Sequence, residues 1–172
     1  NGIYDADENK YEYWFKLYPW EDIAHDEPEL ATTLTSIMQE QEAIILNPAY
    51  TLLFQSKGML KILSDLFPES PYLLKTSFEK LEATKQVEKA VFGREGANTK
   101  IIDSDGSVLQ STDGPYDNYK KVYQEYVDFA QDSTGAKYQA GVFFAYESCG
   151  VSFRKGSEIM DNMSKFVGHV IA

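Results

Sequence analysis

Between residues 11 and 20 the chain reads YEYWFKLYPW, where Tyr13, Phe15 and Leu17 recur with a period of two, which predicts a strand ending near Pro19. The period then lengthens. Leu30, Leu34 and Met38 fall at helical spacing, Asp26 can cap and Pro28 suits a first turn, so a helix is expected from there to Ala43. The run AIIL (43–46) reads as a short buried strand closed by Asn47-Pro48. Leu52, Leu60, Ile62, Leu63 and Leu66 predict helix across 51–66, interrupted at Gln55-Ser56-Lys57-Gly58, and Pro68 to Pro71 marks a loop. The stretch 73–81 fits neither period.

The second half changes character. Strands are expected at 86–92, 98–103, 107–111, 120–127, 138–146 and 149–154, joined by turn chemistry such as Asp103-Ser-Asp-Gly106 and Asp113-Gly-Pro-Tyr116. Helices first and an antiparallel sheet later argue for an α+β fold. With 172 residues and no repeat or linker composition, a single domain is the expectation.

Charge narrows the function classes. The 16 Lys and Arg stand against 27 Asp and Glu, a formal charge of −11 that opposes nonspecific contact with nucleic acid or an anionic membrane. An anionic ligand would need a local cationic cradle. A single cysteine, Cys149, forms no internal disulfide, and no apolar run approaches the roughly 18 residues of a membrane helix. Asn1 is followed by Ile-Tyr-Asp-Ala-Asp-Glu within a few residues, which is no leader pattern, so the default compartment is cytoplasmic; the absence of an initial Met leaves room for processing or a longer parent.

Most single-residue candidates have a plain structural reading. His25 and His169 lack companions at zinc-ligand spacing, Asp103-Ser-Asp-Gly106 lacks the further ligands of a calcium loop, and Cys149 reads as structural filler in a strand. The stretch KAVFGREGAN (89–98) is either a hairpin or a phosphate loop: Gly93 and Gly96 let backbone N–H groups approach an anion, and Lys89 and Arg94 supply charge. Lys57, just before a helix, is either a solvated lysine or an anion ligand beside the helix N-terminus. Arg154 ends a strand and can point inward or out.

Taken in order, the landmarks resemble the glutathionylspermidine synthase family of ATP-grasp-like ligases. They are Pro19-Trp20-Glu21-Asp22, Ser56-Lys57, Leu66-Phe67-Pro68 with Pro71-Tyr72-Leu73-Leu74, and Gly93-Arg94-Glu95-Gly96-Ala97-Asn98. Asp113-Gly114-Pro115-Tyr116, Val122-Tyr123-Gln124, Gly150 to Arg154 and Ser164-Lys165-Phe166 with His169 continue the series.

The resemblance implies an ATP-grasp-like antiparallel sheet with flanking helices. It also implies an ATP- and Mg²⁺-dependent ligase that joins a peptide carboxylate, such as glutathione, to an amine such as spermidine through an acyl phosphate. Lys57 and Lys89 then correspond to ATP-binding lysines, Gly93, Arg94, Glu95, Gly96, Ala97 and Asn98 to the loop over the phosphates, Gln124 to a nucleotide contact, and Arg154 to a catalytic arginine. The family's magnesium ligands lie upstream of Trp20. Residues 1–172 therefore correspond to the C-terminal ATP-binding portion, which needs the remainder of the synthetase domain for efficient ligation.

Three sites depart from the family pattern: Ala90 replaces a proline, Lys155-Gly156 replaces an acidic sequence after Arg154, and Gly168 replaces a proline before His169. The alternative reading is a catalytically lapsed binding or interaction module of the same ancestry.

Overall fold

The computed structural model describes residues 2–170, so the leader reading at Asn1 lies outside the described residues. Two units divide the chain, Asn1–Ser56 and Lys57–Ala172.

The first unit contains strands β1 (Ile3–Tyr4), β2 (Lys10–Tyr11) and β3 (Tyr13–Phe15), helices α1 (Trp20–Asp26) and α2 (Pro28–Gln39), strand β4 (Ile44–Leu46) and helix α3 (Thr51–Gln55). β1 and β2 pair antiparallel, whereas β3 and β4 pair parallel through Tyr13–Ile44, Trp14–Ile45 and Phe15–Leu46. Trp20, Ile23, Leu34, Ile37, Ala43 and Ile45 form its core. The expected strand thus stops at Phe15, and α1 begins where it was expected to end. Trp20 and Ile23 bury one helical face, Glu21 and Asp22 favour the positive end of the helix dipole, and Trp20 Nε1 donates to Asn47 O at 2.8 Å.

Pro28 does open α2, but its cap is Glu27, because Asp26 belongs to α1 and its carboxylate lies 2.5 Å from His25 Nδ1. α2 ends at Gln39, before the left-handed Gln41 (φ 56°). In β4 only Ile45 is buried, so AIIL is an edge-like strand with Ile44 and Leu46 outward.

The second unit opens with helix α4 (Gly58–Leu66), which with α3 reproduces the interrupted helix read from the leucine spacing. Strands β5 (Thr76–Ser77), β6 (Gln86–Ala90), β7 (Lys100–Ile102), β8 (Val108–Ser111) and β9 (Lys121–Glu125) form an antiparallel sheet in the order β5-β9-β6-β7-β8. A second antiparallel sheet has the order of strands β10 (Ala130–Gln131), β11 (Lys137–Ala145), β12 (Glu147–Gly156) and β13 (Lys165–Val167).

The mixed helix and antiparallel sheet agrees with the α+β expectation. The two short strands β10 and β13 were not foreseen, since each is defined by its partner rather than by its own period. Asp103 to Ser107 forms the expected hairpin turn, with Gly106 N donating to Asp103 O at 2.9 Å. Cys149 lies in strand β12, as expected, and is exposed.

Candidate functional site

β6 lies between β9 and β7, and its alternation decides what each side chain meets. Gln86, Glu88 and Ala90 are buried on one face and alternate with Val87 and Lys89; Val87, Lys89 and Ala90 line the wall of a cavity of about 380 Å³. Register pairs Val87 with Gln124 and Lys89 with Val122, so Lys89 and Gln124 are diagonal neighbours on one face. Lys89 Nζ donates to Gln124 Oε1 at 2.8 Å, and Gln124 Nε2 donates to Thr76 Oγ1 at 3.1 Å. Both ends of the amide are therefore committed.

Lys57 arrives from the residue before α4. Its backbone N donates to Val91 O at 2.9 Å and its ammonium donates to Gly93 O. The two lysines thus meet at the start of the β6–β7 loop. Burial holds the Lys89 ammonium below the usual lysine pKa, and the like charge of Lys57 adds to that shift.

The loop of Gly93 to Asn98 contains three left-handed residues, Glu95 (φ 55°), Gly96 (φ 70°) and Asn98 (φ 49°). Gly96 is required by space as well as by φ, because a Cβ there would lie 2.6 Å from Met160 O and 2.9 Å from Ile159 Cγ2. Arg94 and Glu95 form the exposed tip. The hairpin and ligand readings of this stretch are compatible, since one loop both joins two antiparallel strands and lines the cavity.

Arg154 enters from β12. Its Nη2 donates to Asp161 O, its guanidinium lies 5.8 Å from the Phe166 ring centre, and its Nε is buried with no partner. A buried donor without an acceptor is costly, so this group is suited to an incoming anion.

The cavity brings together Lys57, Lys89, Gly93, Arg94, Glu95, Gly96, Ala97, Gln124 and Arg154. Asn98 stands apart. It is 6% exposed, and its side chain is held by Asp117 and the Tyr116 backbone rather than facing the cavity. Apolar walls come from Leu74, Val87, Ile101, Val127, Phe129 and Ile159, which sequence reasoning did not assign to a site. Leu74 lay within a landmark run and Val127 at the end of the strand expected at 120–127, which stops at Glu125, whereas Phe129 sits in the connection before β10. Among the described residues, no group of three or more His, Cys, Asp or Glu side chains could hold a metal ion, and no helix is long and apolar enough to cross a membrane.

A family model described as "Glutathionylspermidine synthase preATP-grasp" matches residues 1–172. The chain belongs to this family. A bifunctional glutathionylspermidine synthetase/amidase of Escherichia coli is 31% identical over 101 residues, covering 57% of this chain and 16% of that protein. The Shigella flexneri protein of the same name gives the same figures. A putative acid–amine ligase of Haemophilus influenzae is 32% identical over 130 residues, covering 70% of this chain and 32% of that protein. As a glutathionylspermidine synthase family member, this chain spans less than a third of the length of these curated relatives.

Proposed function

We propose that this chain is the nucleotide-binding portion of an ATP-dependent carboxylate–amine ligase, with the cavity between the β6–β7 loop and Arg154 receiving the triphosphate of ATP. The observation that carries this reading is the convergence of Lys57 and Lys89 beneath a glycine-bearing loop, with Arg154 on the same cavity. Lys57, Lys89, Arg94 and Arg154 line the cavity with Glu95, Glu125 and Glu158, a local excess of positive charge in a protein of net charge −11. The cavity volume also falls within the roughly 300–1,000 Å³ of small-molecule sites.

The residues fit a polyphosphate on physical grounds. An anion between Lys57 and Lys89 offsets their mutual repulsion and the burial of the Lys89 ammonium. The loop supplies backbone N–H donors near Gly93 and Gly96 together with the Arg94 guanidinium. Gln124 holds the Lys89 ammonium in place, and the apolar walls from Leu74 to Ile159 suit the flat face of a purine while excluding water. Arg154 is the catalytic residue of this proposal: its guanidinium stabilises charge that builds on the transferring group and on the activated carboxylate.

ATP supplies the phosphoryl group that activates the carboxylate as an acyl phosphate, which the amine then attacks to form the amide. The substrate classes proposed are a glutathione-like peptide carboxylate and a spermidine-like amine, in keeping with the names of the relatives. An ATP-grasp-like architecture, the rest of a synthetase domain as partner, Mg²⁺ held by groups outside this chain and a cytoplasmic setting belong to the same proposal.

The lapsed-module alternative drew on the unusual Lys155 beside Arg154. Lys155 Nζ donates to Asp132 Oδ2 at 3.0 Å, and Tyr138 Oη donates to the same oxygen at 2.8 Å, so its charge is balanced away from the cavity. The local reason for the alternative is thereby weakened. In the full-length protein that contains this chain, ADP release should require both a carboxylate and an amine. ADP release independent of either, or absent altogether, overturns the ligase reading.

A further inference from the structure

The C-terminal half of the β6–β7 loop is tied to one neighbouring segment, residues 112–117. Thr112 Oγ1 donates to Gly96 O at 2.6 Å and accepts from Thr99 N at 3.0 Å, while Thr112 N donates to Thr99 O at 3.0 Å. Asn98 adds two side-chain ties. Its Oδ1 accepts from Tyr116 N at 2.7 Å, and its Nδ2 donates to Asp117 Oδ1 at 2.7 Å. Gly114 permits this approach, because a Cβ there would lie 2.5 Å from Asn98 Oδ1 and 2.6 Å from Ala97 Cβ.

The choice of asparagine has a conformational cause as well. Asn98 sits at φ 49°, a left-handed conformation that Asn adopts more readily than most residues. Its amide then offers an acceptor and a donor in opposite directions, which no hydroxyl-bearing or apolar side chain of similar size can do. By contrast, Arg94 and Glu95 at the tip are exposed.

We propose that Asn98 and Asp117 are positioning residues, a side-chain clamp that fixes residues 96–99 so that Gly93 to Ala97 is presented to the phosphates in one shape. This rests on the nucleotide reading of the cavity. The clamp lowers the ordering cost of binding, because half of the loop is already in its bound conformation. Movement on binding is then confined to Gly93, Arg94 and Glu95.

Asn98→Asp tests the clamp with little backbone disturbance: Asp tolerates the left-handed region, keeps an acceptor for Tyr116 N, and sets a carboxylate against Asp117. The double variant Asn98→Asp with Asp117→Asn restores a donor–acceptor pair in reversed direction. Asp117→Ala removes the same bond from an exposed position and keeps the test available should Asn98→Asp not fold.

Two readouts separate the clamp from the nucleotide reading. Without ligand, amide exchange at residues 93–99 should quicken roughly five- to thirty-fold in Asn98→Asp and in Asp117→Ala, and return towards wild type in the double variant. Affinity for Mg²⁺ and adenylyl imidodiphosphate should fall roughly tenfold in the single variants and recover to within about twofold in the double. Unchanged exchange, unchanged affinity, or no recovery in the double variant overturns the clamp. If the wild type fails to bind the analogue while exchange responds as expected, the nucleotide reading fails and the positioning role falls with it.

Discussion

Lys89 and Gln124 form a half-buried polar pair across β6 and β9, with Nζ donating to Oε1 at 2.8 Å while the same amide donates onward to Thr76. The pair does two things at once. It gives the Lys89 ammonium a protein acceptor in the ligand-free state, and it aims that ammonium at the cavity. The low-dielectric surroundings make both effects larger than they would be on the surface.

Replacing Gln124 should therefore cost stability before it costs anything else. Gln124→Leu leaves the Lys89 ammonium and the Thr76 hydroxyl without this partner, for a loss of roughly 1–3 kcal/mol. Urea denaturation followed by circular dichroism measures it through the midpoint at constant slope. Gln124→Glu, which sets a carboxylate against the ammonium, should raise the Lys89 pKa rather than abolish the pair.

The lowered pKa of Lys89 has a defined sign in stability. Between its native value and the unfolded value of about 10.4, the unfolded chain holds the extra proton, so this residue makes stability rise with pH across that window. Below the window the buried charge is penalised in full, and above it the penalty has gone. The difference in unfolding free energy between wild type and Lys89→Met should therefore shift in favour of wild type as pH rises through the window. Paired denaturation curves at several alkaline pH values give the comparison. A polyphosphate bound beside Lys89 should raise its pKa, so calorimetry in buffers of different ionisation enthalpy should detect proton uptake within the same window.

Two glycines with similar φ separate steric demand from conformational demand. Gly96 (φ 70°) has Met160 O where a Cβ would stand, whereas Gly106 (φ 88°) has nothing within 4 Å of that point. Gly106→Ala should carry only the cost of a left-handed alanine, roughly 1–2 kcal/mol. Gly96→Ala adds a clash with backbone and should lose more, with displacement of the β6–β7 loop. Chemical denaturation ranks the two variants, and equal losses would show that the loop yields at Gly96.

Arg154 and its short surroundings lead to a further expectation. Arg154→Lys keeps a charge but loses the planar fork that reaches Asp161 O. In the full-length protein it should lower kcat of ligation roughly 100-fold or more while changing nucleotide affinity far less, as expected for a group that acts on transition-state charge. Steady-state kinetics together with equilibrium binding distinguish this from a general loss of affinity.

Much of the sheet was legible because β6, β7, β8 and β9 carry their own alternation and are separated by turn residues such as those from Asp103 to Ser107. Helix α1 was not, because Trp20 and Ile23 show helical spacing only once the chain is known to stop extending at Phe15. β10 and β13 were equally hidden, as their pairing is supplied by β11 and β12.

For the site, spacing alone left Lys57, Arg154 and the loop from Gly93 to Asn98 undecided between surface and ligand roles. Family landmarks assembled them in order, and the fold shows all but Asn98 on one cavity. Asn98 was indistinguishable from its neighbours in sequence because its partners Tyr116 and Asp117 lie 18 and 19 positions away. The apolar walls had no chemical signature of their own.

The most direct measurement is a titration of the isotope-labelled chain with Mg²⁺ and adenylyl imidodiphosphate, followed by NMR, which detects weak as well as tight binding. Saturable shifts should centre on Lys57, Lys89, Gly93, Gly96 and Gln124, and Lys57→Ala and Lys89→Met should each abolish or greatly weaken them. Absence of saturable shifts at these residues, or shifts that persist unchanged in both variants, would contradict a nucleotide site in this cavity.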